Sequence, residues 1–415
     1  MLHVNAHPRP ERVAVIGAGM VGLATAWHLQ ELGTEVTVFD RADVGSGSSW
    51  GNAGWLTPGL ATPLPEPSVL TYGVRAVLNP RSPVYVPPRL DPRLWRFLVG
   101  FARRSTMRQW QKSMEALIAI NDLALDAFDE LADRGVTAPT SPASSFVAAY
   151  RSASDREPLL QELQHIKSSG QRLEYDLLDG AQARAQEPLL SDEVTAAIQL
   201  HGQRFLDPGA YVQSLGDAVR NRGARFELQR IVERVDANSA GVSIDGESYD
   251  AAVVAAGAWA GPLLRRFGVR RLVQSGRGYS FSVSCRSTPR GPIYLPSQRV
   301  ACTPIADRLR VAGMMEFSPP DAKLDPRRIA AIVDAARPFL DGADVDDRID
   351  EWVGPRPCTV DGLPLIGATA SPHVFVAGGH GMWGITLGPI SGRLLAKQII
   401  TGSHGPELEA FSPLR

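Results

Sequence analysis

A glycine pattern between a strand-like and a helix-like segment constrains the fold of this chain more than any other feature. The segment RVAVI, which starts at Arg12, is apolar and β-branched like a buried strand, and the helical segment MVGLATAWHLQELG and the strand-like EVTVFD follow it. Gly17, Gly19 and Gly22 form G-x-G-x-x-G at the turn, and Asp40 ends the second strand. This βαβ unit predicts an α/β fold with a Rossmann-like dinucleotide-binding domain.

Each residue of this pattern has its own task in such a unit. The first glycine permits a tight turn, the second lets the backbone approach a pyrophosphate, and the third lets the helix pack on the strand. The helix N-terminus attracts phosphate charge, and Asp40 would accept hydrogen bonds from ribose hydroxyls. We therefore expect a bound dinucleotide, with contacts from Gly17, Ala18, Gly19, Met20, Val21, Gly22, Asp40 and Arg41.

The loop that follows the second strand favours a long cofactor. Residues Gly45–Gly54 (GSGSSWGNAG) are mostly small or carry hydroxyls, and they follow the carboxyl edge of the nucleotide fold. Small residues let the backbone come close to a second phosphate or to the far end of a cofactor. We expect contacts from Ser48, Ser49, Asn52, Ala53 and Gly54.

Length and charge limit the classes of function. A chain of 415 residues exceeds what one hydrophobic core usually supports, which predicts two structural domains. With 43 basic and 44 acidic residues the formal net charge is −1, so we expect no nucleic acid partner. Cys285, Cys302 and Cys358 are widely spaced and match no metal-ligand pattern, which predicts reduced thiols in a cytoplasmic protein and no metal site.

Membrane spanning and secretion are not expected from the sequence. The first eleven residues are polar, and no apolar run is long enough to cross a bilayer. The segment Leu94–Arg104 (LWRFLVGFARR) mixes bulky apolar and basic residues, as interfacial helices do. We favour packing of its apolar face on the core and leave open a peripheral contact with the inner face of the membrane.

The rest of the chain alternates between two kinds of pattern. Residues 107–135 predict a helix, Asp207-Pro208 opens another that ends near Gly223, and ARFELQRIVERVD, a short hairpin and AAVVAAG predict further strands. From Gly278 to Phe317, short β-type segments separated by turns predict an antiparallel sheet, and residues 325–340 predict a helix. Near the end, HVFVAGG predicts a strand, and a helix follows over Pro389–Ile400.

These patterns predict an α/β, overall α+β, protein with two discontinuous domains. The dinucleotide-binding domain would take residues 1–60, 190–272 and 352–415. The substrate domain, with a mostly antiparallel sheet and helices, would take residues 61–189 and 273–351.

Five segments carry a family resemblance. Trp352–Gly367 (WVGPRPCTVDGLPLIG) resembles the segment G-x-R-P-x-T-x-D-G-x-P-x-I-G of the FAD-dependent amine oxidoreductases, and Gly378–Arg393 resembles their terminal flavin loop and helix. VVAAGAWAGPLL from Val253, RGYS at Arg277–Ser280 and GMMEF at Gly313–Phe317 are similar to further segments, in the same order. The chain resembles the family of D-amino-acid oxidase, glycine oxidase and sarcosine oxidase, most closely its D-amino-acid dehydrogenase branch.

The resemblance implies non-covalent FAD. Some sarcosine oxidases attach their flavin through a cysteine near this segment, but here Arg356 stands at that place and Cys358 lies two residues on. The helix over Pro389–Ile400 would direct its positive N-terminus at the flavin. The resemblance also implies cofactor contacts from Ile231, Ala256, Gly257, Trp259, Gly379, Gly381, Met382, Trp383, Gly384 and Ile385.

Four residues are candidates for the substrate site. In relatives such as D-amino-acid oxidase, the arginine of G-x-R-P binds the substrate carboxylate, and the planar guanidinium of Arg356 suits a two-pronged contact. Tyr279 and Tyr294 are candidate second contacts, because a buried phenol combines an apolar ring with a donor. His380 lies in the flavin loop, where its role is either catalytic or structural.

The reaction implied is oxidative deamination of a D-amino acid. The α-hydrogen would leave as hydride to flavin N5, and the resulting imine would hydrolyse to a 2-oxo acid and ammonia. One alternative is oxidation of a secondary amine such as proline, hydroxyproline, sarcosine or another N-alkyl amino acid. A second is a non-catalytic or RNA-modifying flavoprotein. The electron acceptor, whether oxygen, a quinone or another carrier, stays open.

Overall fold

The computed structural model of the chain describes residues 9–67 and 79–415. Ten α-helices lie in those ranges: α1 Met20–Glu31, α2 Pro92–Arg104, α3 Met107–Asn121, α4 Ala124–Asp133, α5 Glu157–Ser168, α6 Gly180–Gln186, α7 Pro208–Asn221, α8 Ala260–Leu264, α9 Pro326–Ala336 and α10 Gly384–Thr401.

Twenty-one strands lie in the same described ranges. They are β1 Arg12–Ile16, β2 Glu35–Phe39, β3 Trp55–Leu56, β4 Val84–Tyr85, β5 Ser141–Pro142, β6 Phe146–Tyr150, β7 Tyr175–Asp179, β8 Ala196–Leu200, β9 Arg204–Phe205, β10 Arg225–Glu227, β11 Asp236–Ala237, β12 Val242–Ile244, β13 Glu247–Tyr249, β14 Ala251–Val254, β15 Val273–Cys285, β16 Ile293–Leu295, β17 Val300–Ile305, β18 Arg308–Phe317, β19 Ala343–Thr359, β20 Leu365–Ala368 and β21 Val374–Gly378.

A six-stranded sheet forms the nucleotide-binding part of the fold. Its order is β10-β2-β1-β14-β21-β20, and every neighbouring pair is parallel except the last. The strands β1, β14 and β21 consist almost wholly of buried apolar residues, because both faces of the sheet are covered. Helices α1, α7 and α10 cover one face, and the β11-β12-β13 sheet covers the other together with α8. The helices α1 and α10 pack closely against each other and on this sheet. The Rossmann-like fold predicted from the glycine pattern is therefore confirmed.

A nine-stranded sheet forms the second layer. Its order is β19-β15-β18-β17-β16-β6-β8-β7, with β4 paired to β18. The pairs are antiparallel except β16 with β6 and β18 with β4, so the mostly antiparallel sheet predicted over Gly278–Phe317 is confirmed. Two three-stranded sheets, β3-β9-β5 and β11-β12-β13, complete the strand pairing.

Two of the predicted elements have different bounds in the structure. The single helix expected over residues 107–135 is two helices, α3 and α4, separated by a turn at Asp122 and Leu123. The strand expected over residues 224–236 ends at Glu227, because Gln229 adopts a positive φ of 56° and Arg230 N–H donates to the carbonyl of Asp40. The chain leaves the sheet there and turns toward the carboxyl ends of the parallel strands.

Membership of the two large sheets bears on the predicted division into domains, which stays a prediction. The strand β8 lies in the nine-stranded sheet, although the dinucleotide-binding domain was expected to begin at residue 190. The strand β19 runs without a break across the expected boundary between residues 351 and 352. A long strand therefore carries the chain from one sheet toward the other, and a boundary after Thr359 agrees better with the strand pairing.

Residues 9–67 and 79–415 contain neither a membrane-spanning helix nor a metal-ligand cluster. None of the helices there is both long enough and apolar enough to span a bilayer. In the same ranges, no three His, Cys, Asp or Glu side chains are grouped as metal ligands would be. The three cysteines are free thiols, and Cys302 and Cys358 are buried.

Candidate active site

A cavity of about 600 Å³ lies at the carboxyl ends of the parallel strands. Residues that follow β1, β2 and β14 line it, together with Gly378 at the end of β21. In open α/β sheets, ligands bind in the crevice outside the carboxyl ends of the strands, where loops from several strands converge. We call this space the cofactor cavity.

The glycines of the first turn shape the wall of this cavity. Gly17 has a φ of +122°, and a Cβ there would lie 2.4 Å from the carbonyl oxygen of Ala255. A Cβ at Gly22 would lie 1.9 Å from the carbonyl oxygen of Gly17, so helix α1 can approach the turn only without a side chain at that position. Gly19 is the N-cap of α1 and lines the cavity. The turn thus places a helix N-terminus beside the cavity, as a pyrophosphate requires.

The carboxylate of Asp40 is oriented by backbone amides. Ala18 N donates to Oδ2 at 2.7 Å, and Ala42 N donates to Oδ1 at 2.9 Å. Each oxygen keeps a second lone pair, and Asp40 lines the cavity. This geometry is therefore compatible with the predicted contact between Asp40 and a ribose. Asp40 also joins the segment after β1, at Ala18, to the segment after β2, at Ala42.

Three side chains from distant parts of the chain meet at the rim of the cofactor cavity. The Arg41 guanidinium lies 4.9 Å from the Trp259 ring centroid and 3.3 Å from a carboxylate oxygen of Asp321. The indole Nε1 of Trp259 donates to Asp321 at 3.1 Å. Asp321 comes from the loop after β18, so this contact joins the nine-stranded sheet to the nucleotide-binding part.

The loop over Gly45–Gly54 forms another part of the wall of the cofactor cavity. Met20 N donates to the hydroxyl of Ser49 at 3.2 Å, and the Ser48 hydroxyl donates to the carbonyl of Pro355 at 2.5 Å. Asn52 accepts a hydrogen bond from Gly54 N at 2.9 Å through its side-chain oxygen. The loop is therefore held between helix α1 and strand β19, at one side of the cavity.

The terminal helix begins earlier than its sequence predicted. Helix α10 starts at Gly384 instead of Pro389, so Pro389 lies inside the helix. The shift moves the helix N-terminus to the cofactor cavity, because Gly384 and Ile385 line it. The positive end of the helix dipole therefore faces the space where a cofactor would lie, as expected, although from a different residue.

His380 holds the flavin loop on α10. Its Nε2 lies 2.9 Å from the Ser391 hydroxyl, and that hydroxyl donates to the carbonyl of Leu387 at 2.6 Å, so Nε2 carries the proton. Nδ1 is buried without a hydrogen-bond partner among the described residues. Burial lowers the pKa of His380 to about 4, which keeps the ring neutral near pH 7. These contacts favour a structural role for His380 over a catalytic one.

A smaller cavity of about 210 Å³ adjoins the cofactor cavity. Asn52 and Arg356 line both spaces, and the smaller one is otherwise mostly apolar. Trp55, Phe101 and Phe317 contribute aromatic surface to it. A small molecule here would lie next to whatever fills the cofactor cavity, so we call this space the substrate cavity.

Arg356 lies where the two cavities meet. Its Nη1 donates to the carbonyl of Met314 at 2.6 Å, and no carboxylate in the described part of the chain forms an ion pair with it. Burial lowers the pKa of the Arg356 guanidinium below its ordinary value. A Cβ at Gly278 would lie 2.2 Å from the Arg356 guanidinium. The glycine of RGYS therefore allows the guanidinium to lie against strand β15. The result is a cation whose remaining donors have no acidic partner within residues 9–67 and 79–415.

A β-bulge in β18 orients the carbonyl that holds Arg356. The pairing of β15 with β18 shifts between Arg277 and Tyr279, and Met314 has a positive φ of 69°. Such a conformation is uncommon for a residue other than glycine, and it often occurs at functional sites. Met314 and Met315 both line the substrate cavity. The bulge therefore shapes the cavity and positions its cation.

The two candidate tyrosines lie in different places. Tyr294 lines the substrate cavity, and its ring centroid lies 5.3 Å from that of Trp55. Tyr279 lines neither cavity: its side chain is fully buried in the core of the nine-stranded sheet, and its hydroxyl donates to Glu316 at 2.8 Å. Successive side chains on a strand point to opposite faces, so Tyr279 points away from the face on which Gly278 meets Arg356. The structure does not bring Tyr279 to the site.

The structure brings sixteen of the expected cofactor contacts to the cofactor cavity. They are Gly17, Gly19, Met20, Val21, Asp40, Arg41, Ser48, Ser49, Asn52, Ile231, Ala256, Gly257, Trp259, Gly381, Gly384 and Ile385. Ala53, Met382 and Trp383 line the substrate cavity instead. Ala18, Gly22, Gly54 and Gly379 line neither of these two cavities.

The sequence reasoning missed further residues that line the cofactor cavity. Two of them, Ser46 and Gly47, lie inside the small-residue loop and carried the same signal as their neighbours. The others carry no motif of their own and come to the cavity only through the fold. The full set is Ile16, Phe39, Ala42, Ser46, Gly47, Arg230, Val232, Glu233, Ala255, Pro262, Leu263, Asp321, Pro357, Ala377 and Gly378.

Comparison with known proteins agrees with this geometry. The model of the DAO family of FAD-dependent oxidoreductases matches residues 12–398, which is nearly the whole chain. The chain belongs to this family. Like other members of the DAO family it is an enzyme, a flavin-dependent oxidoreductase acting on amines or amino acids, and its cofactor is FAD.

Relatives of known sequence and structure cover the chain almost completely. A D-amino acid dehydrogenase of Rhizorhabdus wittichii is 30% identical over 413 residues, with 96% of this chain and 98% of the relative aligned. One of Xanthobacter autotrophicus is 29% identical, with 96% and 97% aligned. Glycine oxidase from Geobacillus kaustophilus has the same fold, with a TM-score of 0.74 at 20% identity and 98% and 99% of the two chains covered. Iminodiacetate oxidase from a Chelativorans species has a TM-score of 0.69 at 21% identity, with 97% and 99% covered.

The residues of the cofactor cavity fit FAD. The first turn admits no side chain at Gly17 or Gly22, the N-termini of α1 and α10 both face the cavity, and Asp40 lines it. The first turn and the N-terminus of α1 suit a pyrophosphate, and the N-terminus of α10 suits an anionic or electron-rich ring edge. Asp40 suits a ribose. A dinucleotide that extends from Asp40 to Gly384 would bring its far end next to Arg356, which lines the same cavity.

We predict that the flavin of this family member is bound without a covalent bond. Cys358 is buried, does not line the cofactor cavity, and burial raises the pKa of its thiol to about 12, which disfavours the nucleophilic thiolate. Acid precipitation of the purified holoenzyme should therefore release all flavin absorbance into the supernatant. Yellow colour that stays with the washed pellet would contradict this prediction, and the variant Cys358→Ser would then show whether Cys358 is the attachment point.

The aspartate of the T-x-D-G segment has a structural role. Asp361 is buried and accepts hydrogen bonds from Arg415 Nη2 and Nε at 3.1 and 3.2 Å, and Arg271 lies 3.6 Å away. Burial alone would raise the pKa of Asp361, but Arg415 and Arg271 hold it below its ordinary value. This ion pair fixes the C-terminal residue beside the loop between β19 and β20.

We expect Asp361→Asn to lower the free energy of unfolding by about 3 kcal/mol at neutral pH, since it leaves the partly buried guanidinium groups of Arg415 and Arg271 without their shared carboxylate. A carboxyl whose folded pKa is lowered stabilises the fold above its unfolded pKa, and that contribution is lost as the pH falls through the folded value. The stability difference between the wild type and Asp361→Asn should therefore shrink below about pH 4. Urea unfolding across this range measures it, with the exposed Asp334→Asn as the matched control. A difference that is independent of pH would contradict the ion-pair explanation.

Proposed function

We propose that this enzyme oxidises a D-amino acid at its α-carbon and yields an imine that hydrolyses to a 2-oxo acid and ammonia. The observation that carries the proposal is Arg356, a partly buried guanidinium without an acidic partner among the described residues, at the junction of the cofactor and substrate cavities. A substrate carboxylate would supply a negative charge and hydrogen-bond acceptors for the Arg356 guanidinium. The names of the two curated relatives support a D-amino acid as the substrate.

The side chains of the substrate cavity have separate tasks in this proposal. Arg356 would bind the carboxylate, while the apolar wall around Met314, Met315 and Phe317 would receive the side chain and exclude water. With the carboxylate held at this junction, the α-carbon would lie beside the cofactor cavity, because Arg356 lines both spaces. FAD held in the cofactor cavity would supply the electron chemistry, as acceptor of the hydride that leaves the α-carbon. The protein then needs mainly to hold the α-carbon in position, because no strong base is required if the amine reacts in its neutral form.

An anaerobic titration tests the proposal directly. The visible spectrum of the purified holoenzyme is followed while D-amino acids, their L-enantiomers, glycine, sarcosine and proline are added in separate experiments. Bleaching of the flavin band by D-amino acids, with the 2-oxo acid and ammonia formed in equal amounts, is the expected result. Bleaching by secondary amines alone would replace the substrate class and keep the role of Arg356. A flavin that none of these compounds reduces would overturn the proposal.

We propose further that the outer face of α2 contacts a membrane surface when the electron acceptor is a membrane quinone. The inner face packs on the core through Leu94 and Phe97, as the sequence favoured. The outer side exposes Trp95 and Val99, and exposed arginines surround them, among them Arg96. Exposed apolar side chains within a basic surface suit an anionic lipid layer.

This membrane contact makes a specific prediction. The holoenzyme should sediment with liposomes that contain anionic lipids at low salt, and replacement of Trp95 and Val99 by serine should reduce the bound fraction severalfold. The same changes should leave dye-linked oxidation of a D-amino acid intact, because neither residue lines the substrate cavity. An enzyme that stays in the supernatant at low salt would remove this contact and would leave the proposed reaction unaffected.

A further inference from the structure

One aromatic side chain in the wall of the substrate cavity is fixed in place by four contacts. Trp55 lines this cavity, and its indole Nε1 donates to the Thr303 hydroxyl at 2.9 Å. Its ring centroid lies 4.8 Å from that of Phe146 and 5.3 Å from that of Tyr294, and both pairs are edge-on. Its carbonyl accepts a hydrogen bond from the Thr386 hydroxyl, in the first turn of α10, at 2.9 Å. These contacts restrict movement of the indole away from a ligand.

Thr303 holds this indole from outside the cavity. It lies on β17, is fully buried and lines neither the cofactor cavity nor the substrate cavity. Its hydroxyl accepts the hydrogen bond from Trp55 and donates to the carbonyl of Ala53 at 2.6 Å. Because an indole nitrogen only donates and a carbonyl oxygen only accepts, the hydroxyl must do both. One side chain therefore fixes the Trp55 ring and the backbone two residues before it.

The segment that Thr303 holds lies where the two cavities meet. Asn52 lines both cavities, and Ala53 and Trp55 line the substrate cavity. Arg356 also lines both cavities. A substrate whose carboxylate binds Arg356 would therefore extend into a space that has Trp55 in its wall.

Other side chains in the same wall can adapt to a ligand more easily than Trp55. Met314, Met315 and Met382 also line the substrate cavity. A methionine side chain has three rotatable bonds and adjusts to the shape of its neighbours, whereas the Trp55 indole is held through both its Nε1 and its ring edges. The steric limit on a substrate therefore comes from the part of the wall that cannot adjust. Because Thr303 already accepts from Nε1, the indole offers carbon surface to the ligand.

We infer that Trp55 determines specificity by limiting the size of the substrate side chain, and that Thr303 is a positioning residue that keeps the indole in place. The inference rests on the proposed function, since it takes the substrate cavity as the site of the amino-acid side chain. It adds a size limit to that function. Bulky side chains, above all those with two fused rings, meet a fixed apolar wall at Trp55 and are disfavoured relative to small ones.

Kinetics with a small and a bulky substrate test this size limit. The measured quantity is the ratio of kcat/KM for D-tryptophan to kcat/KM for D-alanine, with the FAD-loaded enzyme and a dye acceptor. Trp55→Phe makes the ring smaller and should raise this ratio at least about tenfold, because one methylene of space in an apolar pocket changes discrimination by about 10- to 200-fold. Flavin content and thermal unfolding confirm that the variant is folded. An unchanged ratio would overturn the inference.

Variants of Thr303 test the positioning role, and they also test the size limit if Trp55→Phe fails to fold. Thr303→Val removes the hydroxyl and keeps the branched shape, so we expect the ratio to rise severalfold, while Thr303→Ser should keep the wild-type ratio. In the Trp55→Phe background Thr303→Val should have a much smaller effect, because no indole Nε1 is left to hold. Equal effects in both backgrounds would show that Thr303 does not act through Trp55.

Thr25→Val is the matched control for Thr303→Val. Thr25 is also fully buried, its hydroxyl donates to the carbonyl of Val21 at 2.8 Å, and it lines neither cavity. It should keep the wild-type ratio. A rise equal to that of Thr303→Val would show that the ratio responds to any lost buried hydroxyl, and it would overturn the positioning role.

Carboxylate binding separates this inference from the proposed reaction. Benzoate and 2-naphthoate carry no amine, and the visible spectrum of the bound flavin reports their binding without turnover. Trp55→Phe should lower the Kd for 2-naphthoate relative to that for benzoate by about tenfold. If D-amino acids fail to reduce the flavin but this change is found, the proposed substrate class is wrong and the size limit stands. If D-amino acids are oxidised and neither ratio changes, the size limit is wrong and the proposed reaction stands.

Discussion

Replacing Arg356 with methionine is expected to raise the KM for a D-amino acid by roughly 100- to 1,000-fold, which corresponds to about 3–4 kcal/mol of lost binding. The guanidinium has no acidic partner among the described residues, so its removal leaves a bound carboxylate without its counter-charge at a site shielded from water. Steady-state kinetics with a dye acceptor measure the change. The conservative variant Arg356→Lys keeps the charge and loses the planar fork, and we expect it to lose about tenfold.

Two controls separate a role in substrate binding from a structural one. The variant should keep its flavin and its thermal stability, because the single hydrogen bond that the guanidinium makes in the described structure is to the Met314 carbonyl. It should also lose affinity for benzoate, a carboxylate without an amine, by a factor similar to the rise in KM. An unchanged KM with wild-type benzoate binding would show that Arg356 does not contact the carboxylate, and the substrate class would then have to be derived from other residues.

The second large effect is expected from Gly17→Ala, which should yield protein without bound FAD. A Cβ at this position would lie 2.4 Å from the backbone oxygen of Ala255, and the φ of +122° is unfavourable for any residue with a side chain. Either the turn or the segment directly after β14 must move, and residues of both line the cofactor cavity. The ratio of flavin to protein absorbance after purification, followed by titration with added FAD, measures the loss, which we expect to exceed about 100-fold in affinity.

A nearby glycine provides the matched control for this variant. Gly261 lies in α8, directly before the cavity-lining residues Pro262 and Leu263, and a Cβ there would meet nothing closer than an Arg93 nitrogen at 3.9 Å. Gly261→Ala should therefore retain FAD and wild-type stability. If Gly17→Ala also binds FAD normally, the first turn does not form the tight backbone approach that the structure describes.

The fold of the nucleotide-binding part was predictable from local patterns. Buried β-branched strands, a following helix and an acidic residue after the second strand identify a βαβ unit, and the structure shows it with nearly the predicted bounds. Element ends were less predictable. The strand after α7 stops at Glu227 because contacts with Asp40 divert the chain, and α10 starts at Gly384 because a glycine-rich turn can begin a helix ahead of a proline.

The substrate site was only partly predictable, because it depends on which strand faces meet. Tyr279 and Tyr294 look alike in sequence, as aromatic residues in β-type segments, yet Tyr294 lines the substrate cavity and Tyr279 points into the core. Strand alternation makes the two faces distinct, but the sequence does not say which face a distant segment covers. The β-bulge at Met314 illustrates the same limit, since its positive φ arises from pairing with β15.

The amino-acid sequence by itself determined the dinucleotide-binding unit, the family and the identity of Arg356 as the leading candidate for a carboxylate contact, because these depend on short motifs whose residues are close together in the chain. Only the tertiary structure decided that Arg356 has no acidic partner in the described residues, that Asp321 meets Trp259 at the cavity rim, and that Tyr294 lines the substrate cavity while Tyr279 points into the core. Those features join residues from segments far apart in the chain. Long-range packing of strands and helices sets their distances, and no local pattern encodes that packing.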